Sequence, residues 1–228
     1  MAEIKIITTE DGSHSLYHEG LKETYHSFHG ALRESLHVFI DKGLRFWRTK
    51  EGLPDAVKIF EVGFGTGLNA LLAAQFAMEH GIKVYYHTIE PFPLSEEIIA
   101  QLNYSKQINN GAYDELYKEI HASPWETENA LNAYFTIFKE KTTLQEIDLQ
   151  TGTSFNLIFF DAFAPSKQAE MWGIELIEKC FNSLQNKGVF VTYSAKGQLK
   201  RDLKSVGFEL ETVAGPPGKK EMVRGIKN

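Results

Sequence analysis

The chain has 228 residues, 43% of them apolar, and a net charge of −6, which suits one domain with a full core. Its single cysteine, Cys180, excludes an internal disulfide, and no apolar run reaches the ~18 residues of a membrane span. The start MAEIKIITTEDGSHS has neither the basic region nor the apolar stretch of a secretion signal, so the sequence reads as cytoplasmic.

About 50 residues rich in His, Ser and Tyr precede the first clear strand, VKIFEVG (57–63). The helix LNALLAAQFAMEH (68–80) ends at Gly81, and KVYYHTIE (83–90) is the second strand. SEEIIAQLNY (95–104) predicts a helix capped by Ser95, with Glu97 supporting its first turn. Between 111 and 153 the pattern is mixed. SPWETENALNAY (123–134) reads as a helix with Ser123 as cap and Pro124 at its first position, and AYFTIFKEKTTLQEI (133–147) as a strand. NLIFFD, GVFVTYS and GFELETV are three further strands, the first two separated by the helix AEMWGIELIEKCFNSL (169–184). At the C-terminus, GFELETVAGPPGKKEMVRGIKN places two strand-like pieces around a Gly-Pro turn, which predicts an antiparallel hairpin. The whole pattern predicts an α/β fold, a mostly parallel Rossmann-like sheet of the class I methyltransferase type that ends in that hairpin. It forms a single domain, 1–228, with 1–52 as an N-terminal cover segment.

Charge is unevenly spread. Residues 1–178 hold 14 Lys and Arg against 26 Asp and Glu, a net of −12, whereas residues 179–228 hold 10 against 4, a net of +6. The basic end permits a polyanionic partner, and a solvated helix such as GQLKRDLKSVGF accounts for it equally well.

FEVGFGTGLNALL is the most specific local signal. A strand ends at Glu61, glycines at 63, 65 and 67 turn the chain, and a helix opens at Leu68. Glycine suits a turn that a ligand approaches through backbone, and the helix start adds free amide donors. A dinucleotide fingerprint requires glycine where Leu68 stands, and no P-loop lysine follows, so the spacing fits S-adenosylmethionine. Thr66 and Asn69 lie in the same turn and join the cofactor-binding candidates. Glu90, closing the second strand, suits the two ribose hydroxyls. For an adenine contact Glu140, Glu146 and Asp148 stay open.

In FFDAFAPSKQAEMW, Asp161 closes a buried strand at the end of the sheet where such folds hold their ligands. It can hydrogen-bond a neutral amine and take its proton, and a turn-capping role is the plain alternative. His26, His29 and His37, with Tyr25 and Glu34, lack the thiolates or matched pair of a metal centre, so no metal is expected.

Four stretches together carry a resemblance: DGSHSLYHEGLKETYHSFHGALRESLHVF, FEVGFGTGLNALL, FFDAFAPSKQAEMW and GPPGKKEMVRG. The chain resembles the tRNA 5-aminomethyl-2-thiouridine methyltransferase family, the methyltransferase half of a bifunctional enzyme of wobble-uridine modification. The resemblance implies S-adenosylmethionine as cofactor, tRNA as partner and methylation of the aminomethyl nitrogen. It also implies that Glu61, Gly63, Gly65, Gly67 and Glu90 bind the cofactor and that Asp161 faces the amine. The flavin-dependent half is not in this sequence, so no flavin is expected. For the extruded base, Phe163, Pro165 and Tyr25 are the candidate contacts, with Ser27 and Arg33 beside them. Lys219 and Lys220 are the candidates for phosphate. The competing readings are an aminopropyltransferase of the spermidine synthase type and a non-catalytic RNA-binding protein.

Overall fold

The computed structural model describes residues 3–149 and 154–228; residues 1, 2 and 150–153, the last of these closing the mixed stretch, lie outside that description. Two sheets are formed. Strands β1 (Ile4–Thr8), β2 (His14–His18) and β3 (Glu23–Thr24) make a small antiparallel sheet. Strands β4 (Ala56–Val62), β5 (Lys83–Ile89), β6 (Glu128–Ala130), β7 (Phe135–Glu140), β8 (Phe155–Phe160), β9 (Leu184–Thr192), β10 (Phe208–Ala214) and β11 (Glu221–Lys227) make the large one. Its order is β10-β11-β9-β8-β4-β5-β7-β6. The inner strands β9, β8, β4, β5 and β7 pair in parallel, and β11 and β10 close one edge as the expected antiparallel hairpin.

Period-two alternation divides the core. Along β8, Leu157 and Phe159 face the cluster that holds the helix Leu68–His80, and Ile158 and Phe160 face the one that holds the helix Ile174–Ser183. Both faces of a parallel sheet must be covered, which is why its strands read as nearly continuous apolar runs. Part of the first face is covered by a helical segment, α-helical at Ala31–Ser35 and Phe46–Lys50 and π-wound at Leu36–Arg45. Among the described residues no helix is long and apolar enough to cross a membrane.

Four expected elements differ. Ser95 does cap its helix, accepting from the Ile98 amide, but that helix covers only Glu96–Ile99. Asn103 is captured by the small sheet, accepting from the His14 amide at 2.7 Å and donating to the Gly12 carbonyl at 2.9 Å, and the chain turns to reach it. The helix expected at 123–134 lies earlier, at Asp114–Ala122, and Ser123 ends it. The following residues instead form β6, an antiparallel edge on β7 with Glu128 opposite Phe138. Strand β7 stops at Glu140 rather than Ile147. The helix expected at 169–184 is broken at Gly173 into a 3-10 turn, Ala169–Trp172, and the helix Ile174–Ser183. The Trp172 indole donates to the Phe163 carbonyl at 2.8 Å, a contact that holds the first piece against the loop after β8.

Candidate active site

Strands β5 and β7 lie on one side of β4 and strands β8 and β9 on the other, so the chain reverses its direction of travel between β4 and β8. Crevices beyond the carboxyl ends of strands form at such a reversal. A cavity of about 1000 Å³ opens there, walled by the β4 turn, the residues after β5 and the loop after β8. His18, Leu21, Tyr25 and His26 of the N-terminal segment also line it.

The β4 turn is shaped by its neighbours. Gly63 has φ +92°, and a Cβ there would stand 2.7 Å from the Asp161 carbonyl oxygen, so glycine lets the ends of β4 and β8 approach. Gly67 has φ +71°, and its Cβ would stand 2.7 Å from His121 Nε2. His121 is there because it and the Tyr117 hydroxyl, at 3.2 and 2.8 Å, both reach the Thr66 carbonyl. The helix Asp114–Ala122 thus holds the turn from behind. Lys139 completes that support. It is fully buried and its ammonium donates to the Ile120 and His121 carbonyls at 2.7 and 2.8 Å, over the faces of Trp125 and Phe64. Burial, followed by the neighbouring Lys141 charge, lowers its pKa to about 8.

Glu90 locks the turn to β5. Its carboxylate accepts from the Gly65 amide at 3.1 Å and the Phe92 amide at 2.9 Å, and burial raises its pKa above the usual carboxylate value. Tyr25 lies near enough for burial and the Glu90 charge together to push its pKa to about 12.

Asp161 stands on the same cavity, with Asn69 Nδ2 donating to its Oδ2 at 2.8 Å. Its Oδ1 has no hydrogen bond among the described residues. Burial, followed by the nearby Glu34 charge, raises its pKa to about 7 against the opposing effects of Asn69 and Lys219. A carboxylate held there is a better base at neutral pH than an exposed aspartate. Beside it, Phe163 meets Tyr25 edge to face at 5.0 Å and His18 at 6.0 Å.

Of the residues expected from the sequence, Tyr25, Gly63, Gly65, Thr66, Asn69, Glu90, Asp161 and Phe163 line this one cavity. Several others lie elsewhere. Glu61 is wholly buried behind the turn, accepting from the Thr88 hydroxyl at 2.7 Å, and Gly67 contacts His121 rather than the cavity. Pro165, Ser27 and Arg33 are outside the lining. Lys219 is half-buried and paired, 2.7 Å from the buried Glu34 and 3.7 Å above the Tyr193 ring, whereas Lys220 is exposed. The three N-terminal histidines diverge: His26 is buried on Ser15, His29 meets Glu10, and His37 meets the Ala214 carbonyl. Of the three acids considered for adenine, Glu146 lines the cavity, while Glu140 pairs with His87 at 3.0 Å. Sequence reasoning weighed Glu34 only as a metal ligand and missed Tyr193, Tyr117, His121 and Lys139. Nothing near these four in the chain signals the site, because each reaches it only through folding.

A glycine turn tied to a ribose-type acid, facing a base-strength aspartate across one crevice, defines a nucleoside-cofactor enzyme on a doubly wound sheet. The profile of the S-adenosyl-L-methionine-dependent methyltransferase family matches residues 105–228, and the chain belongs to that family. It is 29% identical, over 92% of its length, to the tRNA 5-methylaminomethyl-2-thiouridine biosynthesis bifunctional protein MnmC of Methylobacillus flagellatus. With the protein of the same name from Actinobacillus pleuropneumoniae the identity is 30% over 92%. The chain spans about a third of the length of these relatives, 34% and 33%. Its fold is that of MnmC2 from Aquifex aeolicus, with a TM-score of 0.81 at 23% identity, covering 99% of this chain and 70% of the other. Methyl transfer, rather than aminopropyl transfer or bare RNA binding, is therefore the chemistry of the family.

The cavity fits the family's cofactor, S-adenosylmethionine. Glu90 has acceptor capacity beyond its two amide bonds, and the Thr66 hydroxyl, buried at the wall, has no well-formed hydrogen bond among the described residues. Vicinal ribose hydroxyls and a charged amino-acid tail match that donor set.

Proposed function

We propose that this chain methylates the primary amine of 5-aminomethyl-2-thiouridine at the wobble position of tRNA, giving 5-methylaminomethyl-2-thiouridine. The observation that carries the reading is Asp161 on the cavity wall, with one oxygen held by Asn69 and the other open to an amine. The names of the two relatives support the substrate, as they belong to proteins of 5-methylaminomethyl-2-thiouridine biosynthesis in tRNA.

S-adenosylmethionine, when bound, supplies a methyl group made electrophilic by its sulfonium. Glu90 would accept its ribose hydroxyls, and the backbone of Gly63 and Gly65, on the same cavity wall, would border it. Asp161 Oδ1 accepts a hydrogen bond from the amine, orients its lone pair and takes up one of its protons. Its raised pKa makes it a stronger base toward that proton than an ordinary aspartate. Phe163 and Tyr25 offer the aromatic faces that grip an extruded base. Substitution at nitrogen changes no oxidation state, so the transfer itself calls for no flavin. A tRNA substrate places the protein in the cytoplasm.

The test is incubation of aminomethyl-thiouridine tRNA with the protein and S-adenosylmethionine carrying a deuterated methyl, followed by nucleoside mass spectrometry. One labelled methyl on that nucleoside is expected; none, with cofactor binding demonstrated in the same sample, overturns the substrate. Asp161→Asn should retain cofactor affinity and lower kcat on the order of 10²–10⁴-fold. Loss of cofactor binding in a folded variant would make the aspartate part of the cofactor site instead.

A further inference from the structure

Lys219 was expected at the surface and is found clamped. Its ammonium is 2.7 Å from Glu34 Oε1, whose other oxygen accepts from the Ser27 amide at 2.6 Å. The same ammonium lies 3.7 Å from the centre of the Tyr193 ring, and the Tyr193 hydroxyl donates to the Ala162 carbonyl at 2.9 Å. Ala162 follows Asp161 directly. The chain Ser27, Glu34, Lys219, Tyr193, Ala162 thus joins the N-terminal segment, the β10–β11 turn, the end of β9 and the reactive loop. None of its three side-chain members lines the cavity. A buried carboxylate such as Glu34, 5% exposed, requires a partner, and Lys219 is that partner.

We infer that the Glu34–Lys219 pair is a positioning device for the reaction, holding the loop of Asp161 through Tyr193 and setting the charge that Asp161 feels. It rests on the amine-methylation reading for its kinetic consequence, whereas its electrostatic one is independent of that reading. The charged and titratable groups facing Asp161 are Glu34 and Lys219 from this clamp, Glu61 and Tyr86 from β4 and β5, and Tyr193 from β9. Asn69 adds a neutral donor. Glu34 favours the protonated form of Asp161 and Lys219 the ionised form.

The electrostatic test needs no substrate. Carboxyl carbon NMR of protein labelled at aspartate, with the Asp161 signal identified by its loss in Asp161→Asn, gives the titration midpoint directly. Glu34→Gln removes a neighbouring negative charge and should move that midpoint to lower pH; an unmoved midpoint in folded protein overturns the inference. Lys219→Met reads the pair from its other end. It should lower kcat on the order of tenfold through misplacement of the loop, with cofactor affinity and the salt dependence of RNA binding unchanged, and Lys219→Arg should recover most of the rate. A shallower salt dependence in Lys219→Met would make the lysine a phosphate contact and overturn the clamp. Absence of methyl transfer by the unaltered protein sinks only the substrate reading, since the NMR titration stands apart from it.

Discussion

Glu61 is an acid that the fold holds without a charge partner. It is fully buried, its Oε2 accepts from Thr88, and neither its Oε1 nor Oδ1 of Asn69 has a well-formed hydrogen bond among the described residues, with Tyr86 and Asn69 lying beside the carboxyl. Burial raises its pKa from 4.5 to about 8, so the carboxyl is mostly protonated at neutral pH. A protonated oxygen is a donor, which suits an unpartnered acceptor far better than a second lone pair would. The folded protein binds this proton more tightly than the unfolded chain. The resulting stability is fully present below pH 4.5 and is lost as pH rises through about 8. Asp161, raised from 3.8 to about 7, acts in the same direction, while His26 and His121, lowered from 6.5 to about 4, act oppositely, losing stability as the pH falls. Glu61→Gln keeps a neutral donor and should remove the Glu61 contribution alone. Urea unfolding from pH 4.5 to 8.5 should show the variant losing less stability than the unaltered protein, by on the order of a few kcal/mol. Identical pH profiles would mean that Glu61 is charged in the folded state.

The helix Asp114–Ala122 is the element on which the cofactor turn leans. It carries acids in its first turn, and Lys139 meets its last carbonyls, an arrangement that satisfies the helix dipole at both ends. From it Tyr117 and His121 reach the Thr66 carbonyl, and His121 occupies the space that makes glycine necessary at 67. Lys139→Met would leave two buried carbonyls without their charged donor. The expected cost is about 1–3 kcal/mol in urea unfolding, together with weaker cofactor binding by calorimetry as the turn loosens. Unchanged cofactor affinity in a destabilised variant would show that the turn holds its shape without this helix.

Across the whole molecule, the antiparallel hairpin returns the chain to the reactive end of the sheet. Val223 of β11 pairs with Thr192 near the end of β9, so the turn at 215–220 lies beyond the carboxyl ends of the parallel strands. The exposed Lys196 and Lys220 sit at that end, and neither has an ion pair among the described residues. Residues 179–228 carry a net +6 while the rest of the chain carries −12, and these two lysines are the part of that charge exposed at the reactive end. RNA binding should weaken with salt, and Lys196→Ala with Lys220→Ala should flatten the log–log slope by roughly 1–2, at about 0.7–0.9 for each phosphate no longer neutralised. An unaltered slope would place the RNA on another face.

The sequence by itself determined what is local. The strand Ala56–Val62, the glycine turn and the helix Leu68–His80 are continuous in the chain, so the turn, with Glu90 at the next strand end, was legible from spacing. So was Asp161, because a buried strand that ends on an acid points to the ligand end of a parallel sheet. The C-terminal hairpin was legible too, since two strands without a helix between them must run antiparallel. Where long-range contacts competed with local propensity, the sequence misled: Asn103 is drawn to Gly12, and residues 128–130 pair with β7 instead of coiling. Only the tertiary structure decided which acids face the cavity. It put Glu61 behind the turn and bound Lys219 to Glu34, 185 residues away in the chain. The physical reason is that burial and charge pairing depend on every element that packs against a side chain, whereas periodicity and turn chemistry depend on its neighbours along the backbone.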